Sequence, residues 1–371
     1  MNYDYSILIN THERHGYLRR ALSYYSDCAA SGVSVLVADS SEAAFADHLL
    51  LKNISYHHFP GMSYNQRLIE LVKLVQTEYV LLAADDDFIS PAGISASIDF
   101  LKAHPDYSSA LGNHVVFSKH NGKVEFRIMH AHSFELDLND DDPMVRMNKM
   151  FQNYFSTHYA VHRKENMEAF TACMEKLPEA DKFMPMILSI VVAVNGKIKV
   201  INEFYSGREY IIGSSSASWL GLDVLCRDVK FRQKYDAFIS VCAEYLISKC
   251  EMPFDEAKRK VLESFEIYIE KLIKAIRIKN ERNTAPAVPQ PAREGMLKRM
   301  IKGFPVIKNV AGAISGRRLK HYQETQTALK RNKDLKFGIF YSGPEFELTF
   351  TDDKKQGELE RIKQMVLQFP V

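Results

Sequence analysis

Cysteine is scarce in this chain. Five cysteines in 371 residues, Cys28, Cys173, Cys226, Cys242 and Cys250, show no C-x-x-C spacing, which leaves neither a disulfide framework nor a zinc knuckle and fits a reducing compartment. Long apolar runs are missing as well. The longest, Phe183 to Val194, falls far short of the roughly 20 residues needed to cross a bilayer. The amino terminus enters a β-favouring run almost at once, so no signal peptide is expected. A formal net charge of +2 sets the whole chain apart from strongly acidic or basic binding proteins. A cytoplasmic location is therefore expected, either free or peripheral at the inner face of the membrane. With 46% apolar residues the chain can bury a sizeable core, in a main domain plus an extension.

Strand-like and helical runs alternate through the first quarter of the sequence. Tyr5 to Asn10 reads as a strand, Thr11-His12-Glu13-Arg14-His15-Gly16 as a polar loop, and Tyr17 to Tyr25 as a helix with Leu18, Ala21, Leu22 and Tyr25 at three-to-four spacing. Ser34 to Asp39 and Ile54 to Phe59 read as strands, about Ser63 to Leu74 as a helix, and Tyr79 to Ala83 as a strand. This alternation implies a mostly parallel sheet with crossover connections, in which ligands bind beyond the carboxyl ends of the strands. Glu13, Arg14, Asp39 and the triplet Asp85-Asp86-Asp87 all fall at those ends. Three adjacent carboxylates repel one another, so the triplet calls for a compensating cation. Hard oxygen ligands of this kind suit Mg²⁺ or Mn²⁺ together with the phosphates of a nucleotide. The competing reading is a helix N-terminus after the strand, with the aspartates offsetting its dipole and capping its amides.

In order and spacing these segments resemble the family 2 glycosyltransferases of GT-A fold, which are nucleotide-sugar-dependent enzymes. Ile9 to Arg14 stands where that family has a Pro-Thr-Tyr-Asn-Arg loop, and Val37-Ala38-Asp39-Ser40-Ser41 is similar to its Val-Asp-Asp-Gly-Ser. Gly61-Met62-Ser63-Tyr64-Asn65 resembles its loop glycine with Ala-Arg-Asn, and Ala83 to Pro91 its Asp-x-Asp-Asp with trailing proline. The resemblance covers roughly residues 3 to 218. It departs at Ala84, which replaces the first Asp of the motif, and at Tyr64 and Arg67, which replace a frequent Arg and Gly.

The resemblance implies a GT-A-type, mostly parallel sheet flanked by helices. It implies a donor site in which Thr11 and Glu13 line the base pocket, Asp39 accepts from nucleobase or ribose, Asn65 belongs to the donor loop, and Arg14 and Arg208 face the donor phosphates. Asp87 would be the direct ligand of a divalent cation, Mn²⁺ or Mg²⁺. Asp85 would assist it, and Asp85 or Asp86 would act through water or on the sugar. Inverting transfer also needs a base beside the acceptor hydroxyl. The family's Glu-Asp pair is matched by Asp181, with Glu179 in reserve, because Ala180 splits the pair. Each residue has a plainer reading: Asp39 as a turn cap with Ser40 and Ser41, Thr11 and Glu13 as an ordinary polar loop, Arg14 paired with a neighbouring carboxylate, and Glu179 and Asp181 as helix caps. A second acidic cluster, Asp137 with Asp140 to Asp142, reads as a solvated turn.

The expected organisation is a glycosyltransferase-like domain over 1–220, a helical C-terminal extension over 221–283, a Pro-rich linker over 284–292 and a basic segment over 293–371 with a terminal hairpin and helix. Arg293 to Lys336 holds twelve Lys or Arg against Glu294, Glu324 and Asp334. Such a stretch suits either an anionic membrane surface or a solvated helix docked on the main domain. It accompanies no nucleic-acid module, so no nucleic acid partner is expected. The expected activity is metal-dependent, inverting transfer of a hexosyl or related sugar from a nucleotide-sugar donor to a hydroxyl of a surface glycan or lipid-linked oligosaccharide. The rivals are a nucleotidyltransferase, for which Thr11 to Gly16 is a poor triphosphate loop, and a non-catalytic nucleotide-sugar or glycan-binding module on the same fold.

Overall fold

A computed structural model describes residues 4–26, 32–47, 54–120, 122–128, 137–152, 154–177, 183–209, 229–284, 339–342, 347–350 and 352–371. The first elements follow the alternation seen in the sequence: β1 (Tyr5–Thr11), α1 (His15–Ser26), β2 (Val33–Asp39), β3 (Ile54–His58), α2 (Tyr64–Leu74) and β4 (Tyr79–Ala84). Ser63 starts α2 with a capping box, its side chain accepting from Gln66 N–H while the Gln66 side chain reaches back. β5 (Phe88–Ile89) and α3 (Pro91–Ala103) come next, then β6 (Tyr107–His120), β7 (Lys123–Ile128), β8 (Asp137–Leu138) and α4 (Pro143–Gln152). β9 (Val161–Arg163), α5 (Lys164–Glu175), α6 (Met184–Asn195) and β10 (Lys197–Glu209) complete the sheet and its helices. Beyond them lie α7 (Val229–Lys249), α8 (Phe254–Thr284), β11 (Ile339–Ser342), β12 (Glu347–Phe350) and α9 (Asp353–Gln368).

The fold is α/β. Ten strands form one sheet along the path β3-β2-β1-β4-β9-β6-β10-β5, with β7 beside β6 and β8 beside β10. β1 runs parallel to β2 and β4, β2 to β3, and β10 to β6; β9, β5, β7 and β8 pair antiparallel. Near-continuous apolar strands are what a sheet covered on both faces requires, and Ile7, Leu8, Ile9, Val35, Val37, Leu81 and Leu82 are all buried. Helix α6 is apolar all round because it is an interior helix, buried from Met184 to Val194. Phe183 at its start stacks on Phe238 of α7 at 4.6 Å, and Phe238 meets Phe265 of α8 edge-on at 5.1 Å.

Two local features differ from the sequence reading. The acidic triplet does not cap a helix: Asp87 N–H closes a turn on Ala84 O at 3.4 Å, β5 intervenes, and α3 is capped by Ser90 with Pro91 in its first turn. Lys197 to Ile201 and Tyr205 to Arg208 belong to one strand, β10, whose pairing with β6 slips between Val200 and Phe204 and again between Phe204 and Ser206. Such irregularities bend a strand and re-aim its side chains. Glycines let this bent stretch approach closely, since a Cβ on Gly93 would meet Phe204 O at 2.5 Å and one on Gly112 would meet Glu203 O at 2.5 Å. In the second acidic cluster, Asp142 accepts from Met144 N–H at 2.7 Å to begin α4, and Lys149 pairs with Asp140 at 2.7 Å.

The chain divides into two compact units, residues 1–270 with 337–371, and residues 271–336. The second unit contributes only the last turns of α8 to the described residues. The linker over 285–292 and the basic stretch Arg293 to Lys336 lie outside the described residues. No helix among the described residues is long and apolar enough to cross a membrane.

Candidate active site

Register brings the acidic groups together. Thr11 at the end of β1 sits opposite Asp39 at the end of β2, and Asn10 sits opposite Ala84 at the end of β4. Three carboxyl ends thus meet at one edge, where open α/β sheets bind ligands.

Asp39 is fully buried and ringed by donors. Its Oδ1 accepts from Ser41 N–H at 2.8 Å and Ser41 Oγ at 2.5 Å; its Oδ2 accepts from Tyr56 OH at 2.7 Å and lies 2.9 Å from His15 Nε2. Burial alone would raise its pKa, but the Ser41 hydroxyl and amide, Tyr56 and His15 outweigh that and hold it below the usual carboxylate range. Arg67, also buried, donates from NH1 to Thr11 O and to Ala38 O at 3.4 Å, tying the ends of β1 and β2 together.

The triplet is held by cations from both sides. Asp85 Oδ2 accepts from Thr11 Oγ1 at 2.7 Å, and Arg14 spans Asp85 Oδ1 at 2.9 Å and Asp86 Oδ2 at 2.7 Å. Asp87 Oδ1 accepts from Glu209 N–H at 3.0 Å and Oδ2 from Arg208 Nε at 3.1 Å. Burial pushes Asp85 up to about 6, against the pull of Arg14 and Thr11. Burial likewise raises Asp87, with Asp86 adding to the rise and Arg208 opposing it. Behind the triplet, buried Arg20 pairs with Glu209 and reaches Asp86 O at 3.4 Å.

The expected donor residues Thr11, Arg14, Asp39, Asp85, Asp86, Asp87 and Arg208 are therefore brought together at the carboxyl ends of β1, β2 and β4. Arg14 pairs with carboxylates, as its plainer reading held. Asn65 is in the first turn of α2, 1% exposed, with no hydrogen-bond partner for Oδ1 among the described residues. Glu13 braces the loop: with φ 52° it donates its N–H to Ser41 Oγ at 2.7 Å and accepts from Glu42 N–H at 2.7 Å. Glu179 and Asp181 lie outside the described residues.

Further neighbours surround these groups, among them His158 and Tyr159, whose aromatic stretch reads in the sequence as either sugar-stacking or core. His15, Tyr56 and Ser41 surround Asp39. Tyr159 lies under Arg208, with 4.6 Å from guanidinium to ring centre, and its hydroxyl is raised well above its usual range by burial and by Asp87. Next to it His158 Nε2 is 3.4 Å from Tyr64 OH, and its Nδ1 is buried without a partner among the described residues. Burial, with Arg208 and His162 nearby, lowers that imidazole to about 3, so it is neutral at pH 7. No spacing rule links these residues to the triplet; only the long-range strand order does.

The donor set bears on a metal as follows. Arg14 and Arg208 offset two of the three triplet charges, and Asp86, 15% exposed, keeps one oxygen without a protein partner among the described residues. No group of three His, Cys, Asp or Glu among the described residues converges to form a protein cage. This fits an ion such as Mg²⁺ or Mn²⁺ that takes one or two carboxylates and fills its shell with phosphates and water.

Solved structures are similar to the chain at low identity. The chain is similar to S. aureus TarS 1-349, at 12% identity and a TM-score of 0.45 over 73% of this chain and 91% of that one. It is similar to the same protein in complex with UDP-GlcNAc, at 13% identity and a TM-score of 0.42 over 73% and 92%, and in complex with UDP, at 12% identity and 0.43 over 73% and 91%. Likeness at this level fixes no side-chain role. No family model matches the chain, and no curated protein does.

Proposed function

We propose that this protein is a glycosyltransferase that moves a sugar from a nucleotide-sugar donor to a hydroxyl acceptor with inversion. The observation that carries the reading is the convergence of Asp39, the aspartate triplet and two partly exposed arginines at the carboxyl ends of β1, β2 and β4. Asp39, held ionised by Ser41, Tyr56 and His15, would accept from a nucleobase or ribose hydroxyl by exchanging one of these partners for it. Arg14 and Arg208, 35% and 23% exposed, can each turn one face of the guanidinium to a diphosphate without leaving the triplet. Tyr159 beneath Arg208 restricts that guanidinium to one plane.

A divalent ion, Mn²⁺ or Mg²⁺, belongs to this reading: Asp87 with Asp85 would hold it, Asp86 could assist through its open oxygen, and the ion would neutralise charge on the leaving diphosphate. The remaining requirement is a base for the acceptor proton, assigned to Asp181 with Glu179 in reserve. The acceptor class proposed is a surface glycan or lipid-linked oligosaccharide at the cytoplasmic face, with Arg293 to Lys336 offered to the anionic membrane.

The test is a panel of nucleotide-sugars with purified full-length protein, scored for metal-dependent release of nucleoside diphosphate and for calorimetric binding. Turnover of one donor supports the reading. Binding without turnover for any donor would leave a binding module, and release of pyrophosphate from a nucleoside triphosphate would indicate a nucleotidyltransferase.

A further inference from the structure

The terminal helix α9 carries none of the groups discussed above, yet its contacts fall on the segments that flank them. Asp352 caps it by accepting from Lys354 N–H at 3.0 Å and Lys355 N–H at 3.1 Å, and Leu359, Ile362 and Val366 form its buried stripe. Tyr24 of α1 is the main point of attachment. Its hydroxyl bonds Glu358, its carbonyl accepts from Arg361 NH2 at 2.8 Å, and the Arg361 guanidinium lies 4.5 Å from its ring centre. On its other side Tyr24 meets Phe88 edge-on at 4.9 Å. Phe88 is the residue after Asp87, and Ile89 N–H is held at 3.2 Å by the hydroxyl of neighbouring Tyr25.

The second attachment is β10. A Cβ on Gly207 would stand 3.0 Å from Ile362 Cδ1, so the helix rests directly on the backbone that precedes Arg208. Lys355 pairs with Glu203 at 2.9 Å at the start of the bent stretch of the strand. Two independent contacts therefore reach the two halves of the Asp87–Arg208 pair, one through Tyr24 and Phe88 and the other through Gly207. Packed side chains with few voids transmit displacement rather than absorbing it.

We propose that α9 is a positioning element of the donor site, in which Arg361, Glu358 and Ile362 hold Tyr24 and Gly207 and so fix the separation of Asp87 from Arg208. The consequence for donor binding rests on the function proposed above; the positioning itself does not. Besides the helix, the turn at 85–87 and the end of β10 are joined by the Arg208 and Glu209 contacts to Asp87, by Arg20 between Asp86 O and Glu209, and by the short antiparallel pairing of β5 with β10.

The experiment uses the full chain and three variants: Arg361→Ala, Ile362→Ala and Ile362→Val. Amide hydrogen exchange is followed at 85–90 and 206–209, with 5–11 and 33–39 as internal reference, and UDP affinity is measured by calorimetry. Arg361→Ala and Ile362→Ala should raise exchange at 85–90 and 206–209 by about 5-fold or more while the reference strands stay unchanged, and Ile362→Val should restore protection. UDP affinity should fall by roughly 5- to 10-fold in the same two variants and recover in the third.

Faster exchange confined to α9, or spread equally over the reference strands, would overturn the proposal. If Ile362→Ala does not fold, the half-exposed Arg361 still decides it. A wild-type chain that binds no nucleotide would refute the glycosyltransferase reading and leave the exchange result to stand or fall alone.

Discussion

Asp39 and Asp87 sit at the carboxyl ends of strands that flank β1, both essentially buried, and their environments push them in opposite directions. Asp39 is held ionised, whereas Asp87 is raised. The difference lies in their partners. Asp39 is met by hydroxyls, an amide and an imidazole. Asp87 has one amide and Arg208, with Asp86 alongside. Hydrogen-bond donors stabilise a buried charge without adding like charge nearby, whereas an acidic cluster always retains an unsettled repulsion. Asp39 is thus a finished acceptor site. The triplet is poised to gain from a cation or a phosphate-bearing ligand that brings one.

The sharpest way to break this contrast is at the poised end. Asp87→Asn should lower transfer by roughly 10²- to 10³-fold, because the Arg208 contact and the charge facing the diphosphate are both lost. Equal turnover with an unchanged Mn²⁺ response would remove Asp87 from the site. A slightly smaller loss, about 10²-fold in transfer, is expected for Asp181→Asn, with donor and metal affinity retained. Normal transfer there with loss in Glu179→Gln would move the base to Glu179, and normal transfer in both would leave the mechanism without either.

At the finished end, Asp39→Ala should weaken nucleotide binding by about 1–3 kcal/mol while leaving metal response intact. Calorimetry giving the wild-type affinity would show that Asp39 merely closes its own turn with Ser41. Its loss also removes the acceptor of the Tyr56 hydroxyl, which still accepts from Phe45 N–H; Tyr56→Phe should cost less, about 1 kcal/mol, and separates the packing role from ligand binding.

The smallest effect is on stability against pH, and its sign follows from the shifts. Asp85 is raised to about 6 in the folded chain, so the folded state holds its proton more tightly than the unfolded one, where the pKa is about 3.9. Its contribution to stability therefore declines as pH rises from about 4 to about 6 and is flat above that. Asp39 runs the other way: its contribution is present above the usual carboxylate range and is lost as pH falls below it. Melting temperature recorded from pH 4 to 7 should decline less steeply in Asp85→Asn than in wild type. A parallel pair of curves would mean that Thr11 and Arg14 already hold Asp85 ionised. Metal-dependent nucleotide affinity, by contrast, should strengthen through about pH 6 as Asp85 and Asp87 ionise.

Much of this contrast was legible before any coordinate. Apolar runs alternating with three-to-four patterned segments specify strands and helices locally, and alternation of that kind admits only a mostly parallel sheet with ligand groups at the strand ends. Asp39, Arg14 and the triplet could be named on that basis, and the helix read from about Ser63 to Leu74 matches α2 to within a residue. What could not be read was which partner each carboxylate would receive. Arg208 lies 121 residues from Asp87, Tyr159 is brought beneath it by β9 and β10, and Arg361 reaches Tyr24 across 337 residues. Nor does the residue pattern of β10 reveal its slips in register, which aim Arg208 at the triplet.

The amino-acid sequence by itself determined the local elements and the charges they carry, because backbone propensity and periodicity act over a few residues. Only the tertiary structure decided which of those charges are neutralised, by whom, and which oxygen stays open. Burial and ion pairing depend on distances of a few ångströms between residues that strand order and a terminal helix bring together, and those distances leave no trace in local spacing.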